Sequence, residues 1–326
     1  MASTAVLLTE YCNMRCEYCL AKDKILQGVL HSTGLHSREI SPSEAEVIMD
    51  YHERDGQKDF RILGGEPTLH SQFDQVFRRV LERKFHIVLF TNGLFSASVA
   101  ELFRYTARED ISYVVNVNPP AHYSQADWGL LRNNLMLLKG KKVALSLNIY
   151  KLEFDYRFIL ALAEEFKIDV FSVSVAMPGT NTDVHCLHPS QYRSLIPRLL
   201  QFARASAKLK IRWEWNCCLP QCVLKKSELK KFSSLVDCLI PHTCITGLTI
   251  GPGYQTSMCL GTSGFPSVTL TDYPALSKIR EHFKSSYAVF RRVGGYDACV
   301  SCAHIQNGHC QGGCVGFTMN TFKKAG

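Results

Sequence analysis

Three cysteines open the chain in the stretch CNMRCEYC, residues 12–19, with the spacing C-x3-C-x2-C. A tetrahedral zinc site needs four ligands, commonly two C-x2-C pairs, and no fourth thiol lies nearby. A disulfide framework needs an even count and an oxidising compartment. Three clustered thiolates at Cys12, Cys16 and Cys19 instead suit a metal assembly with one coordination position left open. Ten of the 14 cysteines fall much later, between Cys217 and Cys314, as CCLPQC, CLIPHTC, Cys259 and CVSCAHIQNGHCQGGC. Cys186 stands alone and reads as structural.

The elements that must position these thiols follow from hydrophobic periodicity. Strand-like runs occur at 6–11, 59–65, 86–92, 111–118, 143–150 and 170–177. Helical patterns at 41–55, 71–84, 98–107, 127–140, 156–167 and 190–208 alternate with them, the first opening with the capping box SPSE. Six β–α units imply a parallel sheet, hence an α/β fold closing as a partial (β/α)6 TIM-like barrel. Sites on such folds lie at the C-terminal strand ends, which is where Cys12 follows the first strand. After about residue 210 this alternation stops and glycine turns surround the cysteines. The expected division is therefore a barrel over 1–212 and a C-terminal cysteine-rich domain, organised by metal rather than by a large apolar core, over 213–326.

Composition sets the surroundings. The chain of 326 residues is 46% hydrophobic and 20% charged, the profile of a globular protein that needs no covalent staples. No signal peptide and no run of about 20 apolar residues is visible, so a cytoplasmic, thiol-reducing location and no membrane partner are expected. Fourteen cysteines in that compartment hold metal or do chemistry. The net charge of +8 gathers at 139–142, 208–210 and 225–231 as solvated faces, with no nucleic-acid motif beside it. His52, His70 and His86 read as surface or packing residues.

The opening motif resembles that of the radical S-adenosylmethionine enzymes. The resemblance implies that Cys12, Cys16 and Cys19 bind three irons of a [4Fe–4S] cluster, whose fourth iron chelates the cofactor's amino and carboxylate groups. Tyr18 matches an aromatic often found before the third cysteine. LGGEPTLH, at the end of the second strand, looks like the family's GGEP motif and assigns Gly64, Gly65, Glu66 and Pro67 to the methionyl ammonium, the glycines permitting close backbone approach. Thr91 and Asn92, in TNG at the end of strand three, match a further signature. Asn116, Asn118, Ser146, Asn148 and Met177 lie near the ends of strands four to six. There the family contacts ribose, carboxylate and adenine, and structural roles remain open for all five.

The later cysteines resemble the SPASM extension, which carries auxiliary [4Fe–4S] clusters. By that resemblance Cys238, Cys244, Cys259 and Cys314 bind one cluster, and Cys299, Cys302 and Cys310 another. The family has five residues where this chain has seven between Cys302 and Cys310, and no cysteine follows Cys314 to act as the last ligand. Three alternatives stand for it. Cys217 or Cys222 enters the scheme, so that eight thiols close two clusters even without Cys238; or Asp297, His304 or His309 serves; or one iron stays open to substrate. Cys217, Cys218 and Cys222 are alternatively buried thiols or hydrogen donors.

The implied chemistry is reductive cleavage of S-adenosylmethionine to a 5′-deoxyadenosyl radical that abstracts hydrogen from a C–H bond, with electrons from a donor such as flavodoxin or ferredoxin. Peptide modification or cross-linking is the expected outcome, with a separate leader-binding protein as a partner because the chain starts at strand one. A carbohydrate or aminoglycoside dehydrogenase or epimerase is the second expectation. A non-catalytic iron–sulfur electron carrier is the third, disfavoured by GGEP. Anaerobic reconstitution should yield a brown protein with about twelve irons in three [4Fe–4S] clusters. Iron and sulfide analysis near four per chain removes the auxiliary clusters.

Overall fold

The computed structural model describes residues 3–20, 38–177 and 184–325. Its strands are β1 (Thr4–Leu7), β2 (Asp59–Leu63), β3 (His86–Thr91), β4 (Ile111–Asn116), β5 (Lys142–Ile149), β6 (Val170–Val175), β7 (Arg212–Trp215), β8 (Leu248–Ile250), β9 (Gln255–Ser257) and β10 (Val268–Thr269). The longer helices are α1 (Pro42–Arg54), α2 (Phe73–Glu82), α3 (Ala97–Tyr105), α4 (Gln125–Leu137), α5 (Arg157–Phe166), α6 (Tyr192–Lys208) and α7 (Lys226–Val236). The last four are α8 (Leu276–Ser286), α9 (Ala288–Val293), α10 (Ala303–Gln306) and α11 (Val315–Ala325). The class is α/β with a mostly parallel sheet, as the β–α alternation predicts. Among the described residues no helix is long and apolar enough to cross a membrane.

Two compact units divide the chain. The first comprises Met1–Cys16, Ala21–Val143 and Thr246–Lys284. In it β1 to β4 pair in parallel and in order, with Ala5 opposite Arg61, Arg61's neighbour Phe60 opposite Ile87, and Ile87 opposite Ile111. On the other edge β1 pairs in parallel with β8, Ala5 facing Thr249, and β9 and β10 continue antiparallel. Helix α1 begins as its capping box dictates: Ser41 Oγ accepts from the Glu44 amide and the Ser41 amide donates to Glu44 Oε2 at 2.7 Å. Phe73, Phe77, Phe95, Phe103 and Tyr113 form one buried aromatic cluster under α2 and α3.

The second unit comprises Glu17–Leu20, Ala144–Ile245 and Ser285–Gly326. Here β5, β6 and β7 are parallel, with Ser146 opposite Ser172 and Phe171 opposite Trp213. Phe202 of α6 stacks on Phe171 and packs against Trp213, which meets Phe232 of α7.

Two expectations change. A seventh parallel strand, RWEW, lies just past the point where alternation was expected to stop; Trp213 and Trp215 are buried while Arg212 and Glu214 face out, a period-2 pattern only four residues long. The division expected at residue 212 does not coincide with the compact units, because β8 hydrogen-bonds to β1 and carries 246–284 into the first unit.

His52 is not at the surface: its side chain is fully buried, with Nδ1 bonded to the Ile48 carbonyl at 2.9 Å and the ring against Phe60 and Phe85. Burial pulls its pKa down to about 4. Between roughly pH 6.5 and pH 4 the unfolded chain therefore binds a proton that the native one refuses. That stability is full above the ordinary histidine pKa and is lost as pH falls through the window, by about 3 kcal/mol. Urea unfolding across that range should show the loss, and His52→Leu should flatten it.

Candidate active site and cysteine groups

The first unit places its motifs on consecutive loops at the C-terminal ends of β1 to β4. Glu66 organises them. Its side chain is fully buried and caps the short turn Pro67–Leu69, Oε1 accepting from the Thr68 amide at 3.2 Å and Thr68 Oγ1 at 2.7 Å. The same oxygen accepts from Thr91 Oγ1 at 2.8 Å, and Oε2 accepts from the Asn92 amide at 2.7 Å. Burial pushes this carboxyl's pKa up, against the pull of these four hydrogen bonds. The carboxylate thus binds the chain's own donors and joins the β2 loop to the β3 loop.

The two glycines serve the same assembly. Gly65 donates to the Thr9 carbonyl at 2.8 Å and Glu66 to the Tyr11 carbonyl at 2.7 Å, extending the β1–β2 ladder into the cysteine loop. A Cβ on Gly65 would lie 2.3 Å from the Tyr11 oxygen and 2.8 Å from Cys12 Cβ; one on Gly64 would lie 2.8 Å from the Thr9 oxygen. The close approach that demands glycine here is to the chain's own backbone. Pro67 is buried at the first position of the turn.

Asn92 completes the frame by donating to Asn13 Oδ1 at 2.6 Å, while Asn13 Nδ2 donates to the Leu94 carbonyl at 3.1 Å. Asn13 lies inside the cysteine motif and carried no signal of its own in the sequence. Gly93 has φ +79, and its carbonyl accepts from the buried Asn134. Two contacts reach sulfur: the Met14 amide donates to Cys12 Sγ at 3.4 Å, and Asn118 Nδ2 donates to Cys16 Sγ at 3.6 Å. Tyr123, which sequence reasoning missed, fixes Asn118 by accepting from its amide at 3.0 Å. Asn116 lies half-buried at the end of β4.

In the second unit, Tyr18 is buried against Tyr150 at 5.1 Å between ring centres, next to Cys19. Glu17 Oε2 meets Lys151 Nζ at 3.3 Å and His185 Nδ1 at 3.1 Å, and both lower its pKa against a desolvation that raises it. Ser146, Asn148 and their β6 partners Ser172 and Ser174 share one face, where Ser174 donates to Asn148 Oδ1 at 2.5 Å. Met177 is buried.

The late cysteines of the second unit fall into two groups. Cys222 faces Cys299, Cys310 and Cys302; burial first, then their charges, raise its pKa. Cys310 Sγ accepts from the Gln221 amide at 3.5 Å and the Gly312 amide at 3.3 Å. A Cβ on Gly312 would lie 3.1 Å from Cys299 Sγ. In the other group the Cys218 thiol donates to the Gly313 carbonyl at 3.2 Å and the Cys244 thiol to the Ile245 carbonyl at 3.7 Å. The interaction of the two cysteines raises the pKa of the first and lowers that of the second, and Cys314 and Cys217 lie within electrostatic reach of Cys218. Cys238, which the resemblance groups with Cys244 and Cys314, is buried just past the end of α7 with its sulfur on the Trp215 backbone, and burial pushes its pKa up to about 11. Cys259 lies in the first unit, its amide on Thr262 Oγ1 at 3.2 Å. Cys186 is half-buried.

Among the described residues no three His, Cys, Asp or Glu side chains converge as they would on a lone metal ion. The soft, thiol-only donor sets, with amides aimed at sulfur and no room for side chains at Gly312, fit iron–sulfur clusters, whose irons hold their thiolates farther apart than a single ion does. Replacing Glu66 with Gln turns one acceptor into a donor, which then faces either the Asn92 amide now on Oε2 or the three donors now on Oε1. It should cost about 3 kcal/mol or more of stability, read by chemical denaturation, together with iron retention at the opening motif.

The Radical SAM superfamily profile matches residues 6–184, more than half of the chain. The fold resembles Streptococcus suis SuiB bound to S-adenosylmethionine, with a TM-score of 0.68 and 18% identity over 96% of this chain and 72% of that one. It also resembles native anSMEcpe with bound AdoMet, at TM-score 0.65 and 12% identity over 98% and 95%. Curated relatives are GTP 3',8-cyclases. That of Microcystis aeruginosa is 32% identical over 30% of this chain and 29% of its own length; that of Lactiplantibacillus plantarum is 24% identical over 50% and 47%. The chain thus spans less than half the length of these relatives. With the C-x3-C-x2-C loop held by the Glu66 frame and the profile matched across it, this chain belongs to the radical S-adenosylmethionine superfamily.

Proposed function

We propose that this enzyme modifies a peptide oxidatively, using a [4Fe–4S] cluster at Cys12, Cys16 and Cys19 together with auxiliary clusters in its cysteine-rich segments. The reading is carried by the likeness to SuiB across 96% of the chain, since SuiB has also been solved with its precursor peptide SuiA, a match of TM-score 0.62. Family membership implies the cluster and S-adenosylmethionine. When bound, they supply a one-electron cleavage that yields a 5′-deoxyadenosyl radical for C–H abstraction.

The chain's own residues hold and tune that site. Asn118 donates to Cys16, and such N–H contacts favour added negative charge on a thiolate and shift a cluster toward reduction. Glu66, Thr91 and Asn92 keep the loops of β1, β2 and β3 in register. In this reading the methionyl ammonium is met by backbone carbonyls of the Gly64–Pro67 segment, whose Gly65 and Glu66 amides are engaged with Thr9 and Tyr11. Ser146, Asn148 and Met177 offer a mixed polar and apolar wall for the nucleoside or substrate. An electron donor such as flavodoxin or ferredoxin and a separate leader-binding protein complete the expected partners.

A small-molecule substrate is the second reading, favoured by the GTP 3',8-cyclase relatives, which match at most half of the chain. Incubation with S-adenosylmethionine and dithionite should form 5′-deoxyadenosine, and Cys16→Ala should abolish it while the auxiliary absorbance stays. Retained formation in that variant defeats the cluster assignment. Co-expression with short peptides encoded beside the gene should give a peptide lacking two hydrogens. Unchanged peptides, with a new product from GTP, favour the second reading.

A further inference from the structure

The segment Cys217–Cys222 lies between the two thiol groups of the second unit. Its middle is pinned on one side: the Leu219 amide donates to the Pro241 carbonyl at 2.9 Å, and the Leu219 carbonyl meets His242 Nδ1 at 2.9 Å. On the other side it packs against the loop of Cys310 to Cys314, where a Cβ on Gly313 would lie 3.1 Å from Pro220 Cγ. The two ends of the segment therefore meet different cysteines.

We propose that this segment supplies one thiolate to each of two auxiliary iron–sulfur clusters, Cys222 completing the set Cys299, Cys302 and Cys310, and Cys218 joining Cys244 and Cys314. Cys238 lies outside both. The proposal rests on the auxiliary-cluster reading and assigns its ligands.

At the first set, Cys222 occupies the turn Gln221–Val223, whose leading amide donates to Cys310 Sγ at 3.5 Å. The same Cys310 sulfur accepts from Gly312, whose backbone (φ +69) leaves no room for a Cβ, since one would meet Gly294 Cα at 2.4 Å. Gly312 also lies beside Cys299 Sγ, 3.1 Å from that Cβ position. Cys302 caps α10 and is tied to Cys299 by its amide at 3.2 Å. Four thiols thus stand on three segments, each fixed by backbone hydrogen bonds. A closed [4Fe–4S] cluster takes four thiolates.

At the second set, Cys218 is 2% exposed and its thiol donates to the Gly313 carbonyl at 3.2 Å, the residue before Cys314. Gln311 ties the same loop to Cys244, its Oε1 accepting from the Cys244 amide at 2.9 Å and from Arg291 Nη1 at 2.8 Å. Arg291 Nη1 also donates to the Cys244 carbonyl at 3.0 Å, which places a fixed positive charge beside thiols that must be deprotonated to bind iron. Cys238 follows Asp237, whose left-handed backbone (φ 50) ends α7 and turns this cysteine into the apolar packing around Trp215.

The test is iron and sulfide content with Mössbauer spectra of the full chain reconstituted anaerobically, for the unmodified protein and Cys222→Ser, Cys218→Ser and Cys238→Ser. The first two should each lose about four irons or show an altered spectrum from oxygen ligation, and both together about eight. Cys238→Ser should match the unmodified protein. Full iron with unchanged spectra in Cys222→Ser and Cys218→Ser, or a cluster lost in Cys238→Ser, overturns the assignment. An unmodified protein with only about four irons overturns the auxiliary-cluster reading itself. A second measurement needs no variant. Cys222, whose residue is exposed to solvent, should resist iodoacetamide in the iron-loaded protein and react after iron chelation. Equal alkylation in both states overturns its role.

Discussion

The Glu66 carboxylate is the constraint on which the site in the first unit depends. A fully buried carboxylate is costly unless its oxygens are satisfied, and here four donors from Thr68, Thr91 and Asn92 satisfy them. Those donors come from the loops after β2 and β3, so the loops cannot drift apart without exposing an unpaired charge. The cysteine loop is then fixed from two sides, by the Gly65 and Glu66 amides on Thr9 and Tyr11 and by Asn92 on Asn13. A cofactor loop with few apolar contacts gains its order from this polar frame.

The frame also explains why small residues recur there. Gly64 and Gly65 face backbone oxygens at distances that no Cβ tolerates, and Gly93 adopts φ +79 with Leu131 and Val115 close by. The glycines bring strand ends together so that backbone polar groups point toward the mouth of the sheet, where parallel folds place their chemistry. The apolar cluster of Phe73, Phe77, Phe95 and Phe103 supports those strand ends from behind.

Order in the second unit's cysteine-rich segments has a different source. The helices there are short, and α10 has only four residues. Their order comes from tight glycine turns and from amides aimed at sulfur; the proposed clusters would add to it, since ligand deprotonation, metal binding and folding are linked. The Arg291–Gln311–Cys244 network ties this region to the 310–314 loop through hydrogen bonds rather than apolar area.

The sequence by itself determined the parallel α/β class, the α1 capping box, and the places of the cysteine, GGEP and TNG motifs at strand ends. All of these are local: period-2 and period-3.6 patterns, a four-residue cap and short spacings report on neighbours along the chain. Tertiary structure alone decided what is not local. The four-residue strand β7 and the three-residue strand β8 are too short to carry a pattern, and their partners β6 and β1 select them. Glycine in GGEP reads equally as room for a ligand or room for backbone, and only the 2.3 Å approach to Tyr11 distinguishes the two. Counting thiols pointed to Cys217 or Cys222 as a further cluster ligand, yet spacing could not separate the surroundings of Cys218 from those of Cys238. One lies on a segment folded back against Gly313 and the other follows a left-handed helix end into the core, because side-chain proximity depends on how the chain returns on itself.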